Sequence, residues 1–269
     1  MSRTRFLLLL AAVAVLTSTL GPSARASTGA LTRASTGGSS TGAPGPLSTG
    51  GATDQSSADA PDAVRFSFDG AGLLADITGH GHDLSPVARH GGAFATARHG
   101  NGQALVFPPP CHDEPCPRIA LRASTATDLD PGTRPIRWGA TVKLAADQTT
   151  KGENVVQKGF SASGSQYKLQ VDGLAGDPSC AMVDDRRPGI HLAKSGVSVA
   201  DGQWHTLECR RRGAQLTVLV DGAERGATRV PADLSVRNRI PLSVGGKGSF
   251  TDNDQFQGAL DDVWVSIGQ

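Results

Sequence analysis

The chain has 269 residues, of which 34 are glycine and 16 proline; only 19% are charged, and the formal net charge is +1. That balance lacks the basic excess of a nucleic-acid binder and the charge density of a long coiled coil. Glutamate occurs four times, at Glu114, Glu153, Glu208 and Glu224, against 21 aspartates. Glu is a good helix former and Asp is not, so a glycine-rich, β-rich protein is expected.

Met1–Arg5 carries two arginines, Phe6–Leu16 is a nearly unbroken apolar run, and Ala24-Arg25-Ala26 supplies small residues for cleavage. This is the layout of a secretory signal peptide, expected over residues 1–26. The run is shorter than the ~20 residues of a spanning helix. Cleavage after Ala26 removes three arginines and moves the net charge to −2. Residues 27–62 follow as a linker in which 29 of 36 positions are Ser, Thr, Gly, Ala or Pro. Such a segment buries too little apolar surface to offset its ordering entropy, so it is expected to be disordered. No membrane anchor is expected.

From Val64 onward apolar residues recur at every second position: Val64–Phe68, Ile136–Leu144, Tyr167–Val171, His205–Arg211, Leu216–Val220 and Val263–Ile267. Period two is the strand signal. Asp-Gly pairs at 69–70, 172–173, 201–202 and 221–222 favour the positive φ of tight hairpins. Many short strands with such turns predict a sandwich or barrel filling residues 63–269 as one domain. The cysteines Cys111, Cys116, Cys180 and Cys209 are even in number, which favours disulfides in an exported chain. Of the three pairings, 111–116 with 180–209 is preferred because local closure is easiest; a zinc site on Cys and His112 is the alternative.

Three stretches together resemble a known family. Asp201-Gly-Gln-Trp204-His205, continuing through Arg210 to Leu216–Gly222, is similar to the DGxWH–strand–VDG core of laminin G and pentraxin domains. Phe256-Gln-Gly258-Ala-Leu260-Asp261-Asp262-Val263 resembles their closing strand. Asp76–Asp83 and Gly100–Phe107 resemble their opening segments. The resemblance spans residues 66–267 and implies an all-β fold, a concanavalin A-like jelly-roll β-sandwich of two antiparallel sheets. Trp204 is then expected to pack into the core at one end.

Asp261 shares its alternation phase with Val263, Val265 and Ile267, which aims a carboxylate at an apolar face, where it needs a cation or dense hydrogen bonding. The resemblance implies a structural calcium ion there, with Asp69 as partner and Gly102 supplying a carbonyl; calcium takes ~6–8 oxygens. An arginine partner or a β-bulge that turns Asp261 outward are the alternatives. Asp252-Asn-Asp254 and the histidines His80, His82, His90 and His99 read as turns. Arg210–Arg212 reads as a solvated strand end, with Arg211 on the opposite face from its neighbours.

Glycosidases of this superfamily need two carboxylates ~5–9.5 Å apart, carried in jelly-roll glucanases as Glu-x-Asp-x-(x)-Glu. No two glutamates here lie within ten residues of one another, so the chain is not expected to be an enzyme. It is expected to be a secreted binding module for a carbohydrate or an extracellular protein, with no nucleic-acid or membrane partner. A divergent glycoside hydrolase or lyase is one alternative, and an accessory domain with no ligand except calcium is another. Trp138, Tyr167 and Trp264 are the remaining large aromatics, and no ligand-binding residue is singled out.

Overall fold

The computed structural model describes residues 60–124 and 127–268. The expected signal peptide and all but the last three residues of the expected linker lie outside the described residues. Among those described, no helix is long and apolar enough to cross a membrane.

Fifteen strands run in chain order: β1 Asp62–Phe66, β2 Ser85–Arg89, β3 Ala95–His99, β4 Gly102–Val106, β5 Arg118–Arg122, β6 Ile136–Lys143, β7 Gly152–Gly159, β8 Gln166–Asp172, β9 Asp177–Val183, β10 Ile190–Lys194, β11 Trp204–Arg212, β12 Gln215–Val220, β13 Ala223–Arg229, β14 Leu242–Val244 and β15 Ala259–Ile267. They form an eight-stranded sheet, β13-β12-β11-β6-β15-β4-β3 with β1 also on β15, and a seven-stranded sheet, β10-β9-β8-β7-β14-β5-β2. Every pairing is antiparallel, so the expected two-sheet jelly-roll sandwich is the observed fold. The β12–β13 hairpin turns on Asp221 and Gly222, both at positive φ (52° and 75°), as an Asp-Gly turn requires.

Inward-facing residues of both sheets make one core, including Phe66, Leu105, Trp138, Tyr167, Leu169, Leu207, Val218 and Val265. Both expected disulfides are present. Cys180–Cys209 ties β9 to β11 across the core, and Cys111–Cys116 closes a short loop before β5. The sandwich starts slightly before residue 63: Asp62 opens β1, and the Ser266 hydroxyl donates to the Ala60 and Pro61 carbonyls.

Arg211 corrects the solvated-strand-end reading. Residues 210 and 212 do face outward, but Arg211 is only 1% exposed. Its guanidinium donates to the carbonyls of Thr133, Arg134 and Ala232, closing that end of the sandwich with hydrogen bonds in place of apolar packing.

Candidate functional site

The outer face of the seven-stranded sheet follows from register. Tyr167, Leu169 and Val171 of β8 point into the core, so Gln166, Lys168, Gln170 and Asp172 point away from it. Across the sheet, Lys168 pairs with Gln157 of β7 and Ala181 of β9, and Gln157 pairs with Ser243 of β14, which pairs with Arg122 of β5. The next row carries Asn154, Gln170 and Ser179. These rows are mostly amides and hydroxyls, with Arg122, Lys168 and Ala181 among them, yet they are closed off: Asn154 and Ser179 are 0% exposed, Gln157 2%, Ser243 3% and Lys168 7%.

Segment 245–257 walls this face. Gly245 extends the sheet by donating to the Val155 carbonyl, and the Gln255 side chain accepts from Ile119 N while donating to the Gly245 carbonyl. Asp254, at φ 46°, accepts Asn154 N on its carbonyl and takes both Lys168 Nζ and Lys247 Nζ at 2.9 Å on one carboxylate oxygen. Burial drives the Lys168 amine below its usual range, and Asp254 opposes that shift. Asp172 accepts from Gln170 Nε2 and Ser179 Oγ on the same face. Asp252-Asn-Asp254 is therefore more than a solvated turn: Asn253 is fully buried, and Asp252 pairs with Lys151.

The wall continues into a groove of about 400 Å³ lined by Glu114, Arg118, Lys151, Asp252, Asp254 and Gln257, among others. Each cation here has a carboxylate partner: Arg118 with Glu114, Lys151 with Asp252, and Lys168 and Lys247 with Asp254. Phe250 stands at the rim, 41% exposed, near Arg122 across Gly248. Several amide atoms on and beside this face are buried without a partner: both side-chain atoms of Asn154, Gln157 Oε1, Asn253 Oδ1 and Gln257 Oε1. A buried polar atom left unpaired costs ~1–3 kcal/mol, a cost that a water or a ligand hydroxyl reaching it would offset.

The residues expected to hold calcium lie on the other sheet. Between Asp261 and Trp264 the β15–β6 register slips by one residue, with Asp262 at φ 45°. This bulge is the alternative that turns Asp261 outward: its partner Thr141 shares a face with Gly139, over which Trp264 packs. Asp261 stays buried, and its Oδ2 pairs with His99 Nδ1 at 2.5 Å while Oδ1 accepts Asp262 N. Burial pushes this carboxyl up, and the His99 hydrogen bond opposes that shift. Asp69 packs against Gly102, and its Oδ1 accepts Gln103 N. Both carboxylates thus meet the β3–β4 hairpin, but their contacts are with protein groups. Among the described residues no three His, Cys, Asp or Glu side chains are placed to hold a metal.

The aromatics divide. Trp138 and Tyr167 are fully buried. Trp264 is half-buried on the outer face of the eight-stranded sheet, with Arg137 at 5.4 Å and Arg65 at 6.0 Å from its ring. Trp204 is not in the core as expected: it opens β11 half-buried and stacks on His99 at 3.9 Å. It pairs with Lys143 at the exposed end of β6, which puts it on the outer face.

The profile of a laminin G family described as Concanavalin A-like lectin/glucanases superfamily matches residues 130–267. No curated protein matches the chain in sequence. Among solved structures, domain 4 of AbnA, a GH43 extracellular arabinanase from Geobacillus stearothermophilus in complex with arabinotriose, superposes with TM-score 0.58 at 18% identity, covering 78% of this chain and 94% of that one. The botulinum neurotoxin serotype D binding domain gives 0.54 at 11% identity, over 77% of this chain and 48% of that one. The binding domain of Paraclostridial Mosquitocidal Protein 1 gives 0.54 at 9% identity, over 73% of this chain and 47% of that one. The chain thus spans about half the length of the two toxin domains. At these identities the likeness is one of fold.

Proposed function

From the premise that the chain belongs to the laminin G family of the concanavalin A-like lectin/glucanases superfamily, we propose that it is a secreted, non-catalytic module that binds a carbohydrate on the outer face of its seven-stranded sheet. The observation that carries this reading is the set of unpartnered amides on that face, Asn154 and Gln157 above all. Sugar hydroxyls donate and accept, and so do Gln157, Gln166, Gln170, Asn154, Ser179 and Ser243. Neighbouring strands lie ~4.8 Å apart, so a chain that displaced segment 245–257 from this face would meet a fresh polar row at each strand. Phe250 offers a ring to stack on at the rim. The AbnA domain was crystallised with arabinotriose, which makes a short arabinan a sensible first probe. A protein ligand would want apolar anchors, and the floor has none.

A glycan array followed by calorimetry on the hits tests this. Gln157→Ala should weaken binding about tenfold, the ~1.4 kcal/mol expected of a lost hydrogen bond in a desolvated site. Because Gln157 is buried and its Nε2 donates to the Gly159 carbonyl, the melting temperature should fall as well, and affinity is compared at a temperature where the variant is folded. Silence across the array, or binding untouched by Gln157→Ala and Asn154→Ala, overturns the site. The non-catalytic reading rests on the absent paired-glutamate motif. Release of reducing ends from a polysaccharide panel by purified protein would overturn it.

Calcium is a separate proposal with a stated condition: an ion between Asp69 and Asp261 must displace His99 from Asp261. A melting temperature raised by calcium and lowered by chelator supports it, and identical curves overturn it.

A further inference from the structure

Lys158 is the one lysine of the seven-stranded sheet whose register turns it inward. On β7 it sits opposite Tyr167 of β8 and Leu242 of β14, and its side chain is 0% exposed. Burying an ammonium is expensive unless it is fully paired. Its Nζ lies 2.6 Å from Asp130 Oδ1, 2.9 Å from the Asn238 carbonyl and 3.4 Å from Asn238 Oδ1. The other Asp130 oxygen accepts the backbone N–H of Asn238 at 3.3 Å, and the Asp130 side chain is 9% exposed. Asn238 is held by its Nδ2, which donates to the carbonyl and hydroxyl of Ser165. Tyr167 closes the far side against Trp138, its hydroxyl bound to the Leu129 carbonyl. An amine, a side-chain amide and a carboxyl therefore converge inside an aromatic pocket.

We propose that Lys158 and Asn238 are joined by an intramolecular isopeptide bond formed with the help of Asp130. A proton passing from Nζ to Asp130 along their 2.6 Å hydrogen bond leaves a neutral amine beside a neutral acid. The Nζ lone pair then forms a bond to Asn238 Cγ, the atom bonded to Oδ1. The Cγ–Nδ2 bond breaks, and the second Nζ proton is relayed through Asp130 to the departing nitrogen. Asp130 finishes as a carboxylate, one ammonium ion leaves, and the product is a secondary amide. No oxidant, metal or cofactor enters the balance. Chain positioning replaces a bimolecular encounter, the source of the very large effective molarities of oriented intramolecular reactions. A cavity of about 390 Å³ lined by Thr127, Asp130, Arg237, Asn238 and Arg239 opens beside Asn238 and gives the ammonia a way out.

The amide exchanges a buried ammonium for an uncharged group and leaves the Asp130 carboxylate held by the Asn238 backbone N–H. The bond ties β7 to the segment leading into β14, so it spans the stretch between residues 158 and 238.

Peptide mapping of the purified, reduced and alkylated full chain by mass spectrometry tests this. The expected result is a trypsin-resistant Lys158 and a branched peptide, containing Lys158 and Asn238, lighter by one ammonia than its two arms. Recovery of the unmodified Lys158 and Asn238 peptides overturns the proposal. A branch lighter by one water and attached at Asp130 overturns the assignment of Asn238. In Asp130→Ala, which keeps both reacting groups, the branched peptide should vanish; its persistence overturns the role of Asp130. The wild-type map is decisive whether or not that variant folds.

Discussion

Glu153 shows how one side chain sets a pH dependence. It is buried at the start of β7, where its Oε2 accepts Gln257 N and Oε1 takes the Thr150 hydroxyl. Burial pushes its carboxyl from the ordinary 4.5 up to about 8, against these hydrogen bonds. The folded chain therefore holds a proton there that the unfolded chain releases, and stability falls as pH rises from 4.5 towards 8. Glu153→Gln keeps the shape and the neutral state. It should flatten that fall, with a gain over wild type that is near zero at pH 4 and grows to a few kcal/mol at most by pH 8, on the scale of ~1.4 kcal/mol per unit. Denaturant titrations across that range check it; a gain independent of pH would be wrong for this cause. His205 has the opposite sense. Burial lowers its pKa, but hydrogen bonds to Asp221 and Asp201 outweigh that and raise it above 6.5. Its stabilising share is present below pH 6.5 and is lost as pH rises through the raised value, so His205→Gln should be most harmful in acid.

Among the elements, the cross-sheet disulfide and the β15 bulge carry the most. Cys180–Cys209 closes a span of 29 residues and Cys111–Cys116 one of 5. Chain entropy then predicts that replacing the first pair with alanine costs ~3.6 kcal/mol and the second ~2 kcal/mol, an order that differential scanning calorimetry should reproduce. Strands with one apolar and one polar face, such as β6, β8 and β12, were legible because period two was visible along them. In β7 it was not: all of Gly152–Gly159 is buried, since the sandwich covers one face and segment 245–257 closes over the other, and a bulge at Val155 breaks the phase. The second bulge misled the reading of Asp261 as inward-facing. Its signal was the Asp261-Asp262 pair, because Asp tolerates positive φ better than most residues. The polar face itself could have been read from Gln166, Lys168, Gln170 and Asp172, which occupy the alternate phase of a strand whose apolar residues were recognised. Their partners on β7, β9 and β14 share no motif, and only strand order brings them together. Trp204 was misplaced for a similar reason: its neighbour His99 is 105 residues away in sequence, and nothing local announces the stack.

At the scale of the whole molecule the two outer faces differ in chemistry. The eight-stranded sheet presents arginines around Trp264, with Glu208 bridging Arg137 and Arg210. The seven-stranded sheet presents amides and hydroxyls beside a wall whose four cations, Arg118, Lys151, Lys168 and Lys247, are matched by carboxylates already in contact with them. With three carboxylates set against these four cations, the wall keeps little net charge to draw a polyanion. Hydrogen bonding to uncharged hydroxyls is short-ranged, whereas attraction between exposed charges is screened over ~10 Å at 0.1 M salt. If the seven-stranded face is the ligand site, the dissociation constant for a neutral glycan should change less than about twofold between 0.05 and 0.5 M salt. A steep loss with salt would instead place binding on the arginine-bearing face. Arg210→Gln then separates the two cases: it should leave neutral-glycan affinity unchanged, and an effect as large as that of Gln157→Ala would move the site to the opposite side of the sandwich.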